Sequence, residues 1–242
     1  MKNSLKEIDQ ICDYYNLSYY DRKIFLDIIY PIVEHKEFQI RMDANIFPHH
    51  DKVSLGNHII SDAVVSYIIG KKLNLSFEDI RLAVLISMFH DLYELPWQNA
   101  HIQKSMFCNK HGFTHPLEGA INAYTWYPEY FENKEVAEII IDGVVHHMYP
   151  FPVRSLDKVD AELNNKEKYE EIDWDTKKLI IDSSNRCKVG HISICPSKYK
   201  VGRIMSDADK IVSWFKDVSF HGLVSCVTGE NSNLDNYTRT RK

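Results

Sequence analysis

The stretch Ile80-Arg81-Leu82-Ala83-Val84-Leu85-Ile86-Ser87-Met88-Phe89-His90-Asp91-Leu92 decides how this chain folds. Its apolar residues cover nearly every side of a helix, so it reads as the central buried helix of the molecule. Ser76 followed by Asp79 is a capping-box signature that places its start. The apolar run then closes on an adjacent His90–Asp91 pair. Burying such a pair is costly unless it is paired or bound to a metal. Imidazole and carboxylate together suit divalent Mn, Fe, Co, Zn or Ni. The plainer alternative is a helix-terminal pair whose histidine interacts with the helix dipole.

Working outward, most apolar stretches repeat at helical spacing. Leu55, Ile59, Ala63 and Tyr67, with Ile60, Val64 and Ile68, predict a helix over Leu55–Leu73. Pro116 suits a first helical position, which would leave His115 at or near the N-cap of a helix reaching Trp126. Further helices are expected over Lys134–Met148, stopping before Pro150, and over Lys200–Lys216. Two more are expected around Leu5–Tyr15 and Tyr20–Val33, the second disturbed by Pro31. The expected fold is all-α, a single helical domain over 1–228 with its core at 54–216. A charged segment, Arg154 to Lys200, reads as an insertion before the last core helix: a solvated face, or a lid or substrate-selecting wall. The polar tail 229–242 reads as disordered.

Lys plus Arg number 29 and Asp plus Glu 34, a net charge of −5, which argues against a stable nucleic-acid partner. No apolar run approaches the ~18–20 residues a membrane span needs. The charged, amphipathic start lacks a signal-peptide core. Five cysteines with no CxxC pair suggest reduced thiols and a cytoplasmic protein. Cys187, His191 and Cys195 recur every four residues and would align if that stretch were helical. They nevertheless fall short of a normal zinc-ligand pattern.

Twelve histidines are the outstanding feature of the composition. His58 falls on the helix before the dyad, His115 at the opening of the helix after it, and His147 near the end of the next. His147 shares a stripe with Val136, Ile140 and Val144, whereas His146 aligns with Ile139 and Asp142. Gly143, one turn before His147, leaves room beside that histidine. A late carboxylate comes from Asp207 or Asp209, which spacing alone does not separate.

His…His-Asp…Asp on successive helices resembles the HD-domain superfamily of metal-dependent phosphohydrolases. The resemblance spans about Ser54 to Trp214. It is carried by Leu55-Gly56-Asn57-His58, by Met88-Phe89-His90-Asp91-Leu92 and by Ala208-Asp209-Lys210. His111-Gly112-Phe113-Thr114-His115-Pro116 and His147-Met148-Tyr149-Pro150 are similar to blocks of a subset of small bacterial members. The resemblance implies an HD-type helical bundle in which His58, His90, Asp91 and Asp209 hold one divalent metal. In two-metal members later histidines bind a second ion, and His115 and His147 match those positions. In one-metal members the same positions touch substrate phosphate. One or two ions of Mn, Fe, Co, Ni, Zn or Mg are therefore implied.

Glu94 resembles an acid of nucleotidase-type and alarmone-hydrolase members that positions or deprotonates the attacking water. His146, Lys210 and Arg154 are candidate substrate contacts, and Tyr93, Trp97, Trp126 and Tyr149 candidate pocket walls. Leu92-Tyr93-Glu94-Leu95 and Met148 depart from the cyclic-dinucleotide phosphodiesterase branch, which carries a Gly-Lys after its dyad and a glutamate after its double histidine. The implied activity is hydrolysis of a phosphate ester of a nucleotide or related small molecule by metal-activated water. Asp91 and Glu94 are its candidate catalytic residues. The six metal-ligand candidates are equally similar to those of HD-fold di-iron oxygenases. A non-catalytic binding module is the remaining alternative. Composition and motifs leave the oligomeric state open.

Overall fold

The computed structural model describes residues 2–50, 53–95, 110–156 and 163–213. The tail 229–242, Trp97, Trp214 and residues 157–162 of the insertion lie outside the described residues, as does the side chain of His111. The fold is all-α, with short strands only at its margins. In chain order the helices are α1 (Lys2–Tyr14), α2 (Tyr19–Val33), α3 (Lys36–Arg41), α4 (Leu55–Lys72), α5 (Phe77–Phe89), α6 (Lys110–Trp126), α7 (Lys134–Val145), α8 (Lys166–Glu171), α9 (Trp174–Asn185) and α10 (Lys200–Val212). None of the described helices is long and apolar enough to cross a membrane.

The quoted stretch is the centre of the core. Ser76 caps α5 by accepting a hydrogen bond from the Asp79 backbone N–H, and every residue from Leu82 to Phe89 is buried. α4 and α10 pack on α5, α7 closes another side, and α1 and α2 cover the outside of α4 and α5. Each fully buried Leu, Ile, Val, Phe or Met of this core stabilises it by about 1.5–3 kcal/mol as an upper estimate. A buried Ser66–Ser87 hydroxyl pair, 2.8 Å apart, joins α4 to α5.

Several expected boundaries shift. α6 starts at Lys110 and runs through Pro116, so His115 lies inside the helix and not at its N-cap. Proline removes one N–H from the ladder, but the flanking turns continue and keep the helix. α7 ends at Val145, and His146 to Pro150 form a turn with a cis Tyr149–Pro150 bond. Gly143 makes room for a helix and not for something bulky beside His147. A Cβ there would lie 2.7 Å from Ile86 Cδ1, so the glycine lets α7 approach α5.

Between α3 and α4 the strands β1 (Pro48–His50) and β2 (Val53–Ser54) pair antiparallel, an element that helical periodicity does not foretell. The inserted segment carries α8, α9 and a small antiparallel sheet. In that sheet β5 (Ile192–Ser193) lies between β3 (Val153–Arg154) and β4 (Lys188–Val189). Cys187, His191 and Cys195 therefore flank or turn a hairpin and do not line a helix.

Candidate metal centre

Five elements and one turn deliver side chains to a single buried spot. His58 and Asp62 stand one turn apart on α4, whose start is capped by Ser54 accepting from the Asn57 N–H. His90 is the C-cap residue of α5 and Asp91 follows it. His115 projects from α6, His147 from the turn after α7, and Asp209 from α10. Asp207 is exposed on the same helix, which decides between the two late carboxylates.

The distances define two neighbouring donor groups. In the first, His58 Nε2 lies 3.0 Å from Asp62 Oδ2 and 3.5 Å from Asp209 Oδ1, while His90 Nε2 lies 3.4 Å from Asp62 Oδ2. In the second, His115 Nε2 and His147 Nε2 are 3.1 Å apart. Asp91 joins the two. Its Oδ2 is 3.6 Å from His90 Nε2 and 3.9 Å from His58 Nε2, and its Oδ1 is 3.4 Å from His115 Nε2 and 3.6 Å from His147 Nε2. His58, Asp62, His90 and Asp209 form one group able to hold a metal ion, and His90, Asp91 and His147 another.

Backbone carbonyls select the ring tautomers. His90 Nδ1 donates to the Ser87 carbonyl at 2.7 Å, and His147 Nδ1 donates to the Val144 carbonyl at 2.8 Å. Each ring therefore presents the lone pair of Nε2 to the cluster when neutral, as a metal-ligating histidine does. Burial holds His90 well below the usual imidazole range, aided by the neighbouring His147 and His58, and takes His147 down to about 4.

The carboxylates split. Burial pushes Asp91 up to about 8, opposed by His58 and reinforced by Asp209 and Asp62. At Asp209 burial acts the same way, but the His58 hydrogen bond and the charges of His90, His58 and His147 outweigh it. They hold Asp209 well below the ordinary carboxylate range. His90 Nε2 and Asp91 Oδ1 are buried and make no hydrogen bond among the described residues. Three carboxylates facing neutral imidazoles in a buried pocket fit divalent cations, which supply the missing positive charge.

Two members of the cluster are not among the candidates read from the sequence. Asp62 follows His58 at i+4, a spacing that puts both on one helical face and was visible in the sequence. His49 stacks on the His58 ring with centroids 3.8 Å apart and forms a third donor group with His58 and Asp91. It arrives on β1, which no local pattern connects to α4.

The other candidates sit elsewhere. His146 turns away from His147: its Nε2 donates to the Ser183 carbonyl at 3.0 Å, and its ring lies near Asp142 and Cys195. Lys210 Nζ donates to the His147 carbonyl, the Ser206 carbonyl and the Ser206 hydroxyl, tying the turn after α7 to α10. Glu94 is in none of the metal-capable groups and pairs with Lys168 of α8. Arg154 is half-buried on β3, paired in register with Ile192.

Among the aromatic candidates, Tyr93 is fully buried and packs edge-on against the His115 ring, with centroids 5.9 Å apart. Trp126 has Arg41 4.5 Å and Lys168 4.6 Å from its ring centroid. Tyr149 is partly exposed. The segment entering α8 is anchored on α6, because Asn164 donates to the buried Glu118 carboxylate and Asn165 donates to Asn122 Oδ1. Compared with known protein families, curated proteins and solved structures, the chain matches none.

Proposed function

We propose that this protein is a metal-dependent phosphohydrolase of the HD type, acting on a phosphate ester of a nucleotide or a related small molecule. The observation that carries the reading is the divided carboxylate of Asp91, with one oxygen toward His58 and His90 and the other toward His115 and His147. A carboxylate so placed could help to hold a divalent cation on either side. Bound there, such ions would supply an activated nucleophilic water and positive charge for the phosphoryl oxygens.

The chain's own residues have separate tasks. His58, His90 and Asp209 would hold one ion, His115 and His147 would hold the other, and Asp91 would contribute to both. The Ser87 and Val144 carbonyls keep His90 and His147 in the ligating tautomer. Lys210 is a positioning residue, because its bond to the His147 carbonyl fixes the turn that delivers that ring. The Glu94–Lys168 pair fastens the insertion to the loop after the dyad, so Glu94 acts here as an anchor for the pocket wall.

Hydrolysis of a panel of nucleoside mono- and triphosphates and simple phosphoesters, with Mn2+, Fe2+, Co2+ or Zn2+ added, tests the reading beside Asp91→Ala. Wild type should release phosphate or nucleotide with at least one metal, and the variant should fall to the metal-free rate. Equal inertness of the two across the panel would overturn it. Iron with dioxygen-dependent turnover would replace it with the oxygenase alternative.

A further inference from the structure

We propose that Asp62 is itself a metal ligand and that it makes the two ion sites chemically unequal. The site on α4, α5 and α10 would be selective for a carboxylate-preferring cation of the Mn2+ class, and the site on α6 and the turn after α7 for an imidazole-preferring one. The inference rests on the metal-centre reading above and adds to it a ligand and a division of metal type.

The nitrogen that Asp62 approaches distinguishes a ligand from an orienting carboxylate. A carboxylate that only orients a ligating histidine bonds the ring nitrogen turned away from the metal. In His90 that nitrogen is Nδ1, and the Ser87 carbonyl already takes it at 2.7 Å. Asp62 Oδ2 instead lies 3.4 Å from His90 Nε2 and 3.0 Å from His58 Nε2, on the side that faces the cluster. Asp62 therefore shares the ion's face of both rings.

Burial points the same way. Asp62 is fully buried, on the first donor group's side of Asp91. A carboxylate removed from water requires a cation or a proton close by. Asp209 and the Oδ2 side of Asp91 bring two further carboxylates toward the same rings.

Donor composition separates the two groups. The first group offers two imidazoles and the carboxylates of Asp62, Asp209 and Asp91. The second offers His115, His147 and only the shared Oδ1 of Asp91. Carboxylate-rich sets suit Mn2+ and Mg2+, whereas imidazole suits Zn2+, Fe2+ and Ni2+. Asp62 is the residue that tips the first group toward oxygen. Without it the first group would offer two imidazoles to two carboxylates, against two to one in the second, and the difference between the groups would narrow.

Metal binding, read without turnover, tests this. In wild type, Mn2+ followed by the loss of its free-ion electron paramagnetic resonance signal should fill one tight step and a second at least about tenfold weaker. Two equal Mn2+ steps would overturn the proposal, and this arm needs no variant. In Asp62→Asn, checked for its helical circular dichroism, the Mn2+ affinity of the tight step should fall about tenfold or more, and Zn2+ affinity by clearly less. Asp62→His should weaken Mn2+ and strengthen Zn2+. Equal losses for both metals in these variants would make Asp62 a positioning residue and sink its assignment as a ligand. If wild type binds neither ion, the metal-centre reading itself fails. Unequal Mn2+ steps in a protein that hydrolyses no phosphoester would retain the proposal and remove only the hydrolase chemistry.

Discussion

At the residue scale, the cluster combines groups whose burial acts in opposite directions on their protons. His90 and His147 are held below their ordinary value near 6.5, so below that pH the unfolded chain binds protons that the native state refuses. Acidification through this range destabilises the metal-free protein. Asp91 has the reverse sign: the native state keeps until about 8 a proton that the unfolded chain releases near 3.8, so stability falls as pH rises between the two. Asp209, held low, is ionised in both states across pH 5–8 and contributes no slope there.

His90, His147 and His146, which burial also holds low, together outweigh one carboxyl below about pH 6.5, and the carboxyl prevails above about pH 7. Metal-free stability should therefore peak between about pH 6.5 and 7 and fall toward pH 8 by up to about 1 kcal/mol per pH unit. Urea unfolding from pH 5 to 8 measures this, and a steady rise through pH 8 would contradict it. Added divalent metal should abolish the alkaline decline, because binding displaces the Asp91 proton. His90 and Asp91 were legible because a polar pair closing an apolar helix stands out locally, whereas His58, His115 and His147 rested on a resemblance. Asp62 was equally present in the sequence, but an isolated aspartate on a helix is ordinary until its neighbours across the fold are known.

At the element scale, the close approach of α6 to the end of α5 brings His115 to the dyad. Gly119 permits it: a Cβ there would lie 2.5 Å from the His90 carbonyl oxygen and 3.1 Å from that of Phe89. The obstacle is backbone, which cannot swing aside as a side chain can. Gly119→Ala gains up to about 1 kcal/mol of helix propensity. Overpacking typically costs about 1–3 kcal/mol, and here it pushes two helices apart. A net loss of stability is expected in urea, together with weaker binding of the second metal equivalent because His115 moves with α6. Unchanged stability and unchanged metal stoichiometry would show that α6 adjusts freely. The boundaries of α4 and α5 followed from periodicity and caps, since these are local properties of the chain. The passage of α6 through Pro116 and the β1–β2 hairpin did not, because tertiary packing overrides a local preference of this size.

At the scale of the whole molecule, the donors come from α4, α5, α6, α10 and the turn after α7, so an ion bound among them links most of the core. Metal at about 100 times its dissociation constant should stabilise the fold by about 3 kcal/mol. That corresponds to roughly 5–10 °C in melting temperature for a chain of this size. Thermal melts with and without a chelator test it, and coincident melts would argue against a metal that bridges the helices. A resemblance supplied most of the donor candidates, and packing chose Asp209 over Asp207; the sequence by itself determined the helical class and the buried central helix that closes on His90–Asp91. Those properties reside in spacing along one chain, where a period of 3.6 residues sorts faces. Only the tertiary structure decided that Asp91 divides its oxygens between two groups and that Asp62 and His49 join them. The same packing turned His146 away, bound Lys210 to a backbone carbonyl and paired Glu94 with Lys168. Which side chains meet across 30 to 150 residues depends on how helices pack in three dimensions, and spacing along the chain does not encode that distance.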